Sequence, residues 1–259
     1  QPFLDEPDNW GVPTKDPVEM LELALAASAG GLSLTVHAIG DRANRDVLNV
    51  LAETRRREAN VSAKGVPAAV RASQAWGEMG TASRSRLRHR IEHVQCIDPE
   101  DLPRLARLDV TASVQPIHAT SDMLMVDRLW GPERARGAYA FRSLLESGTR
   151  LVFGSDAPVE PYSPLIGIHA AVTRRRSDGT PGPEGWQGRE RISVAQAVDA
   201  YTRWPAYAAG EESYRGSITP TKVADLVLLS RDIFSIDPME IASTQVEMTI
   251  LDGQVVWQA

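Results

Sequence analysis

A chain of 259 residues is long enough to bury a sizeable core, and its 42% hydrophobic and 24% charged residues set it apart from disordered chains. A formal net charge of −6, from 34 acidic against 28 basic side chains, gives no support to a nucleic-acid partner. No run of roughly 18 apolar residues marks a membrane span, and Cys96, the single cysteine, allows no internal disulfide, so a reducing, cytoplasmic setting is expected.

Residues 1–14 are rich in turn formers (Pro2, Pro7, Asp8, Asn9, Gly11, Pro13). A helical stripe follows through Met20, Leu21, Leu23, Ala24 and Leu25, stopped by Gly30 and Gly31. Residues 32–37 alternate as a strand, with Leu32, Leu34 and Val36 on one face and Ser33, Thr35 and His37 on the other. A helix after Asp41 buries Val47, Leu48, Val50 and Leu51, and Asp41 is placed to cap it. Residues 59–83 are rich in Ala, Ser and Gly and carry no firm boundary. A second strand is expected over 87–93, then a helix from near Pro99 through Leu108, a third strand over 110–114 ended by Gln115 and Pro116, a helix over 133–147, and a fourth strand over 151–153 leading into Gly154, Ser155 and Asp156. The alternating arginines 84, 86, 88 and 90 are expected to be solvated or ion-paired. After a helix near 193–203 the pattern changes to short strands over 224–229, 246–251 and 254–257, with a hairpin turn at Asp252 and Gly253.

This strand–helix rhythm is that of a parallel α/β architecture, which four units can satisfy as an open sheet or as half of a closed barrel. The metal-type side chains favour the barrel, because they fall just beyond strand C-termini, where (β/α) barrels carry their sites. Three such residues are His37, His93 and Asp156, whose imidazole and carboxylate groups suit Zn²⁺ or another divalent ion. Each has an ordinary alternative: a strand-closing histidine can simply be hydrogen-bonded, and an Asp after Gly-Ser can simply hold a turn. Asp156 has a second role open to it, as the base that orients and deprotonates a hydrolytic water. His118, after the third strand, either contacts a substrate carbonyl or leaving nitrogen, or is a polar loop residue. His89 is expected deeper in the sheet or at its opposite end, His169 in a helix with a structural role, Glu92 on the strand face opposite His93, and Cys96 as a buried neutral thiol.

Taken in order, His37-Ala38-Ile39-Gly40-Asp41-Arg42-Ala43, Arg90-Ile91-Glu92-His93, Ser113-Val114-Gln115-Pro116 with His118, and Gly154-Ser155-Asp156-Ala157-Pro158-Val159 resemble the amidohydrolase superfamily, in its type-3 branch. The resemblance continues through residues 170–174 and the tail motifs 216–220 and 224–226. It implies the second half of a (β/α)8 TIM-type barrel over residues 1–212, and the C-terminal strands of a small β-sandwich over 213–259. It further implies His37 after barrel strand five, His93 after strand six and Asp156 after strand eight, the last both ligand and general base, with one or two divalent ions, expected to be zinc. The implied activity is hydrolysis of non-peptide C–N bonds in small amides, formamides or cyclic amides. A noncatalytic binding protein or scaffold on the same fold is the competing expectation. The family's His-any-His pair occurs nowhere among the five histidines. The first barrel strands are accordingly expected in an N-terminal segment outside these residues, and the 259 residues alone are expected to be inactive. A small-molecule substrate, that segment and further copies of the chain are the expected partners; nucleic acid and membrane are not.

Overall fold

The computed structural model describes residues 1–64 and 86–259. From residue 65 on, the Ala-, Ser- and Gly-rich stretch lies outside the described residues, as does Arg84. Helix α1 (Pro17–Ala29) starts where the Asp16 carboxylate accepts from the amides of Val18 and Glu19, and packs on α2 (Asp41–Lys64). Four parallel strands, β1 (Thr35–Ala38), β2 (Arg90–His93), β3 (Thr111–Val114) and β4 (Leu151–Phe153), lie side by side in chain order. Between them run α3 (Leu102–Leu108), α4 (Pro116–Ser121), α5 (Met123–Ala135) and α6 (Phe141–Glu146). Helices α7 (Pro164–Thr173), α8 (Val194–Tyr201) and α9 (Arg203–Ala209) follow β4. A separate antiparallel sheet is formed by β5 (Leu226–Leu229), β6 (Val246–Leu251) and β7 (Gln254–Gln258).

The parallel register explains the division of labour between the faces. Val36, Ile91, Ala112 and Leu151 stand in one row, and Ala38, Val114 and Phe153 extend the same face. This face meets Val47, Leu48 and Leu51 of α2, Leu105 of α3 and Leu144 of α6 in one apolar core. Each fully buried side chain of this size contributes about 1.5–3 kcal/mol through removal from water. The other face carries Thr35, His37, Arg90, Glu92, Thr111, Ser113 and Val152, a polar surface open to the functional chemistry. The antiparallel sheet is joined to the core through the connection between β5 and β6: Ile233 and Ile241 are buried, and the 3₁₀ turn Pro238–Ser243 packs on α7.

The regular parts of the pattern are where the sequence places them, and β6 has the expected bounds. Asp252 and Gly253 both take positive φ, 50° and 76°, as a tight hairpin between twisted strands requires. The expected helix over 133–147 is instead two, α5 and α6, divided at residues 136–140. The cause is tertiary: Ile97 N–H donates to Gly137 O, Tyr139 N–H donates to Gln95 O, and Cys96 bridges Ala138. A Cβ on Gly137 would fall 2.2 Å from the Ile97 carbonyl oxygen, so only glycine permits this approach. The stretch 116–132 is helical, as α4 and most of α5, with a break at Gly131 (φ 72°). Arg86 pairs with Asp109, Arg88 with Glu212 and Arg90 with Glu92, the ion-paired arrangement expected of that arginine series. No described helix is long and apolar enough to cross a membrane.

Candidate active site

The C-terminal ends of β1, β2 and β4 open on a cavity of about 370 Å³. His37, His93, Gln95, His118, Asp122, Asp156 and Glu160 line it together with Ile39 and Val159. The three imidazoles and the aspartate singled out in the sequence therefore converge on one space.

Strand alternation alone would not bring His93 there. In the register His37 stands opposite Glu92, and His93 opposite Ala38, on the helix-covered face. At His93, however, the backbone turns to φ 74°, followed by Val94 at φ 44°. This turn carries the His93 ring to the open side, where its centroid lies 4.4 Å from that of His37, edge to face. Glu92 accepts from Arg90 at 2.6 Å and stands on the strand face opposite that of His93 in the register, as expected, although this is the face of His37. Asp156 also has positive φ, 56°, in the turn after β4, where its carbonyl accepts from Val159 N–H. Non-glycine residues held in this region cost about 1–3 kcal/mol and gather at functional sites.

Hydrogen bonding sets what each ring can do. His93 Nδ1 lies 2.9 Å from Gln115 Oε1, so it carries the proton and leaves Nε2 with a lone pair. Burial, and then the His93 ring, push the His37 imidazole below its ordinary range; the smaller opposing pull comes from Asp156 and Glu92. A neutral His37 is a ligand-competent one. His118 is only 6% exposed, within α4 rather than in a loop. Its Nδ1 accepts from the Gln95 amide at 3.4 Å, which assigns the proton to Nε2. That Nε2 is buried and has no protein partner. An unmet buried donor beside a cavity is costly unless a bound group meets it.

The loop after β1 is held by Asn44, fully buried, whose amide donates to Gly40 O and Cys96 O, both at 3.0 Å. Asp41 starts α2, accepts from Arg42 N–H, and receives both ends of the Arg134 fork at 3.0 Å. It anchors the rim without entering the cavity. Cys96 is buried, which pushes its thiol up to about 11 and keeps it neutral. His89 lies at the other end of β2, fully buried between Leu34 and Glu58, and His169 is buried in α7. Sequence reasoning missed Asp122 and Glu160: both lie in segments whose helices and turns were unassigned, and a lone carboxylate carries no pattern.

The donors suit a divalent ion in kind: a neutral imidazole, a second imidazole fixed through its far nitrogen, and a carboxylate. Among the described residues, no three His, Cys, Asp or Glu side chains stand close enough together to hold one.

Against known proteins, residues 1–257 match the amidohydrolase family model, and the chain belongs to that family. YtcJ of Bacillus subtilis (strain 168), which bears an amidohydrolase name, is 32% identical over 260 residues, covering 100% of this chain and 44% of its own length. N-substituted formamide deformylase of Arthrobacter pascens is 29% identical over 237 residues, covering 91% of this chain and 38% of its own. Among solved structures, an uncharacterized metal-dependent hydrolase from Pyrococcus horikoshii OT3 superposes with a TM-score of 0.72 at 26% identity, over 92% of this chain and 42% of that one. The chain thus spans less than half the length of each of these relatives.

Proposed function

We propose that this chain supplies the larger share of the active site of a metal-dependent hydrolase acting on non-peptide C–N bonds in small amides, formamides or cyclic amides. One observation carries the reading: His37, His93, His118 and Asp156 line one cavity, with His93 tied to Gln115 through Nδ1 and His118 Nε2 left without a protein partner. His37, His93 and Asp156 would hold the ion, with zinc the expected identity. When bound, a divalent ion polarises a carbonyl and makes water a better nucleophile at neutral pH. Asp156 orients that water and takes its proton. Gln115 fixes the His93 tautomer, so that Nε2 rather than Nδ1 faces the site. His118 Nε2–H donates to the substrate carbonyl oxygen, where negative charge develops, or passes its proton to the departing nitrogen. The family membership and the formamide-cleaving relative support the bond class.

The described donors do not close on an ion unaided. In this reading further donors complete the centre, residues 1–212 form part of a closed (β/α)8 barrel, and 213–259 contribute to a sandwich beside it. The 259 residues alone are then without turnover. The same observation favours a second reading, a noncatalytic binding protein that retains the cavity. Metal content measured after mild purification of the natural polypeptide, with turnover on formamides, amides and cyclic amides, separates them. Stoichiometric metal with hydrolysis supports the enzyme; a folded, metal-free protein inert to the whole panel sinks it.

A further inference from the structure

Tyr139 does not line the cavity, yet it holds two of the residues that do. It is 2% exposed, its N–H donates to Gln95 O at 2.8 Å, and its hydroxyl donates to Asp122 Oδ2. Both partners lead to His118. The Gln95 amide donates to the imidazole Nδ1 at 3.4 Å, and Asp122 N–H donates to the His118 carbonyl at 2.9 Å. These hydrogen bonds close a ring from Tyr139 through Gln95, His118 and Asp122 back to Tyr139. His118 N–H donates in turn to Gln115 O at 3.2 Å, so among the described residues Nε2 alone of its polar atoms lacks a partner. His118 is thus tied through its amide, its carbonyl and Nδ1, and open only at Nε2, beside the cavity.

Tyr139 is itself firmly held. Its φ of 50° is strained for a non-glycine residue and has to be offset by its surroundings. Arg174, fully buried, donates from Nη1 to the Tyr139 carbonyl at 3.1 Å and from Nε to Trp186 O at 3.1 Å. Its guanidinium lies 5.0 Å from the Trp186 ring, which meets the Tyr139 ring edge to face at 5.9 Å. Burial, and then the Asp122 carboxylate, push the Tyr139 phenol up, so it stays protonated and donates. The end of α4 has a separate anchor: Arg176 donates to the carbonyls of Thr120 and Ser121 at 3.0 and 3.2 Å. Folding of α4 therefore does not hang on the Tyr139 hydroxyl, whose contribution is to where the helix presents His118.

We propose that Tyr139 is a positioning residue for the hydrolytic reaction: by holding Gln95 and Asp122 together it fixes the tautomer and the place of His118, so that Nε2–H meets the substrate. What that proton does rests on the hydrolytic reading; the ring of hydrogen bonds does not. A donor aimed where charge develops contributes most when it needs no reorganisation during the reaction. A misplacement of about 1 Å, caused by a change away from the reacting atoms, can cost ~100-fold in rate.

The test uses the natural polypeptide and the best-hydrolysed member of the formamide, amide and cyclic-amide panel. His118→Ala should lower kcat roughly 100- to 1,000-fold with little change in KM, as loss of one donor to a developing oxyanion does. Tyr139→Phe, which deletes only the hydroxyl, should lower kcat roughly 10-fold. The double variant decides: if Tyr139 acts through His118, removing both costs no more than His118→Ala alone. Multiplied losses, a normal kcat in Tyr139→Phe, or a loss confined to KM overturn the proposal. Should Tyr139→Phe fail to fold, Asp122→Asn weakens the same arm from its other end, and the same non-additivity with His118→Ala is expected. A readout free of turnover is the ring N–H spectrum of isotope-labelled histidines, with His118 assigned by its loss in His118→Ala. Tyr139→Phe should move the His118 Nε2–H signal and leave that of His89, at the far end of β2, in place. If nothing in the panel is hydrolysed, the hydrolytic reading fails, and this spectrum still decides the positioning. An unmoved His118 signal, or an equal shift at His89, ends it.

Discussion

His89, just before β2, and His93, its last residue, illustrate opposite uses of the same side chain. His89 is fully buried and satisfied on both nitrogens: Nδ1 accepts from Leu34 N–H at 3.0 Å, and Nε2 donates to Glu58 at 2.9 Å. His93 has one nitrogen tied to Gln115 and the other left to the cavity. The first histidine is consumed by the fold; the second is half consumed, and its remaining valence is what chemistry can use. The same distinction marks His118, whose Nε2 has no partner. His169 Nε2 is buried without a partner too, yet lies in α7 outside the cavity lining, so residual hydrogen-bonding capacity marks a candidate histidine only together with a place at the cavity.

The largest effect should come from the satisfied end. His89→Ala leaves the Glu58 carboxylate and the Leu34 amide short of a partner in a buried setting, and is expected to cost about 3–5 kcal/mol of stability by denaturant unfolding. Metal content per folded molecule should not change. A loss below about 1 kcal/mol would mean the Glu58–His89 pair is not structural.

The pH dependence of that end follows from Glu58. Burial alone would push its carboxyl up, but hydrogen bonds from His89, Arg55 and Ser28 outweigh it and hold the group at about 2, below the ordinary 4.5. A folded-state value below the unfolded one adds stability that is present above the unfolded value and fades as pH falls towards the folded one. Its contribution of about 3 kcal/mol should therefore disappear between roughly pH 4.5 and 2. Glu58→Gln should flatten the acid limb of a stability–pH curve over that window; an unchanged limb would assign acid unfolding to other groups.

At the open end the effects are kinetic. Asp156→Asn keeps size and one oxygen but removes the charge and the proton acceptor. If the assembled protein is the hydrolase proposed above, turnover is expected to fall at least ~100-fold, the lower part of the range for positioned acid–base catalysis. Metal content must be measured alongside. Near-normal turnover in a folded, metal-loaded variant would remove Asp156 as the base, whereas retained metal with a large loss of turnover would support proton transfer; loss of both would not separate the two roles. Gln115→Leu should be milder, weakening metal affinity about 10- to 100-fold by freeing the His93 tautomer. An unchanged affinity would break the contrast between His93 and His89, because the tie through Nδ1 would then have no bearing on Nε2.

Much of this was legible in the sequence wherever a short-range pattern carries the information. The four parallel strands follow from apolar alternation bounded by turn residues, and the β6–β7 hairpin follows from Asp252 and Gly253. The convergence of His37, His93, His118 and Asp156 was legible as well, because strand C-termini in a parallel sheet share one edge. What escaped depends on distant contacts. The division of the expected helix over 133–147 is imposed by backbone pairing with residues 95–97, which no helix periodicity encodes. Asp122 and Glu160 gain meaning only from the cavity they share with residues far away in the chain. Alternation sets Glu92 and His93 on opposite faces, as the register has them, but not that the positive φ of this last strand residue brings the His93 ring beside His37.

That positive φ ties stability to the site at a single residue. Glycine takes φ 74° at no steric cost, whereas histidine is strained there. His93→Gly should therefore relieve backbone strain of about 1 kcal/mol but leave the buried Gln115 Oε1 without its partner, at about 1–3 kcal/mol, and loosen the unfolded chain. The ring that occupies the strained turn thus also supplies the hydrogen bond that holds it, and a screen by melting temperature alone has no reason to discard the histidine. Selection that scores metal retention alongside melting would hold the histidine in place, and the strained turn with it.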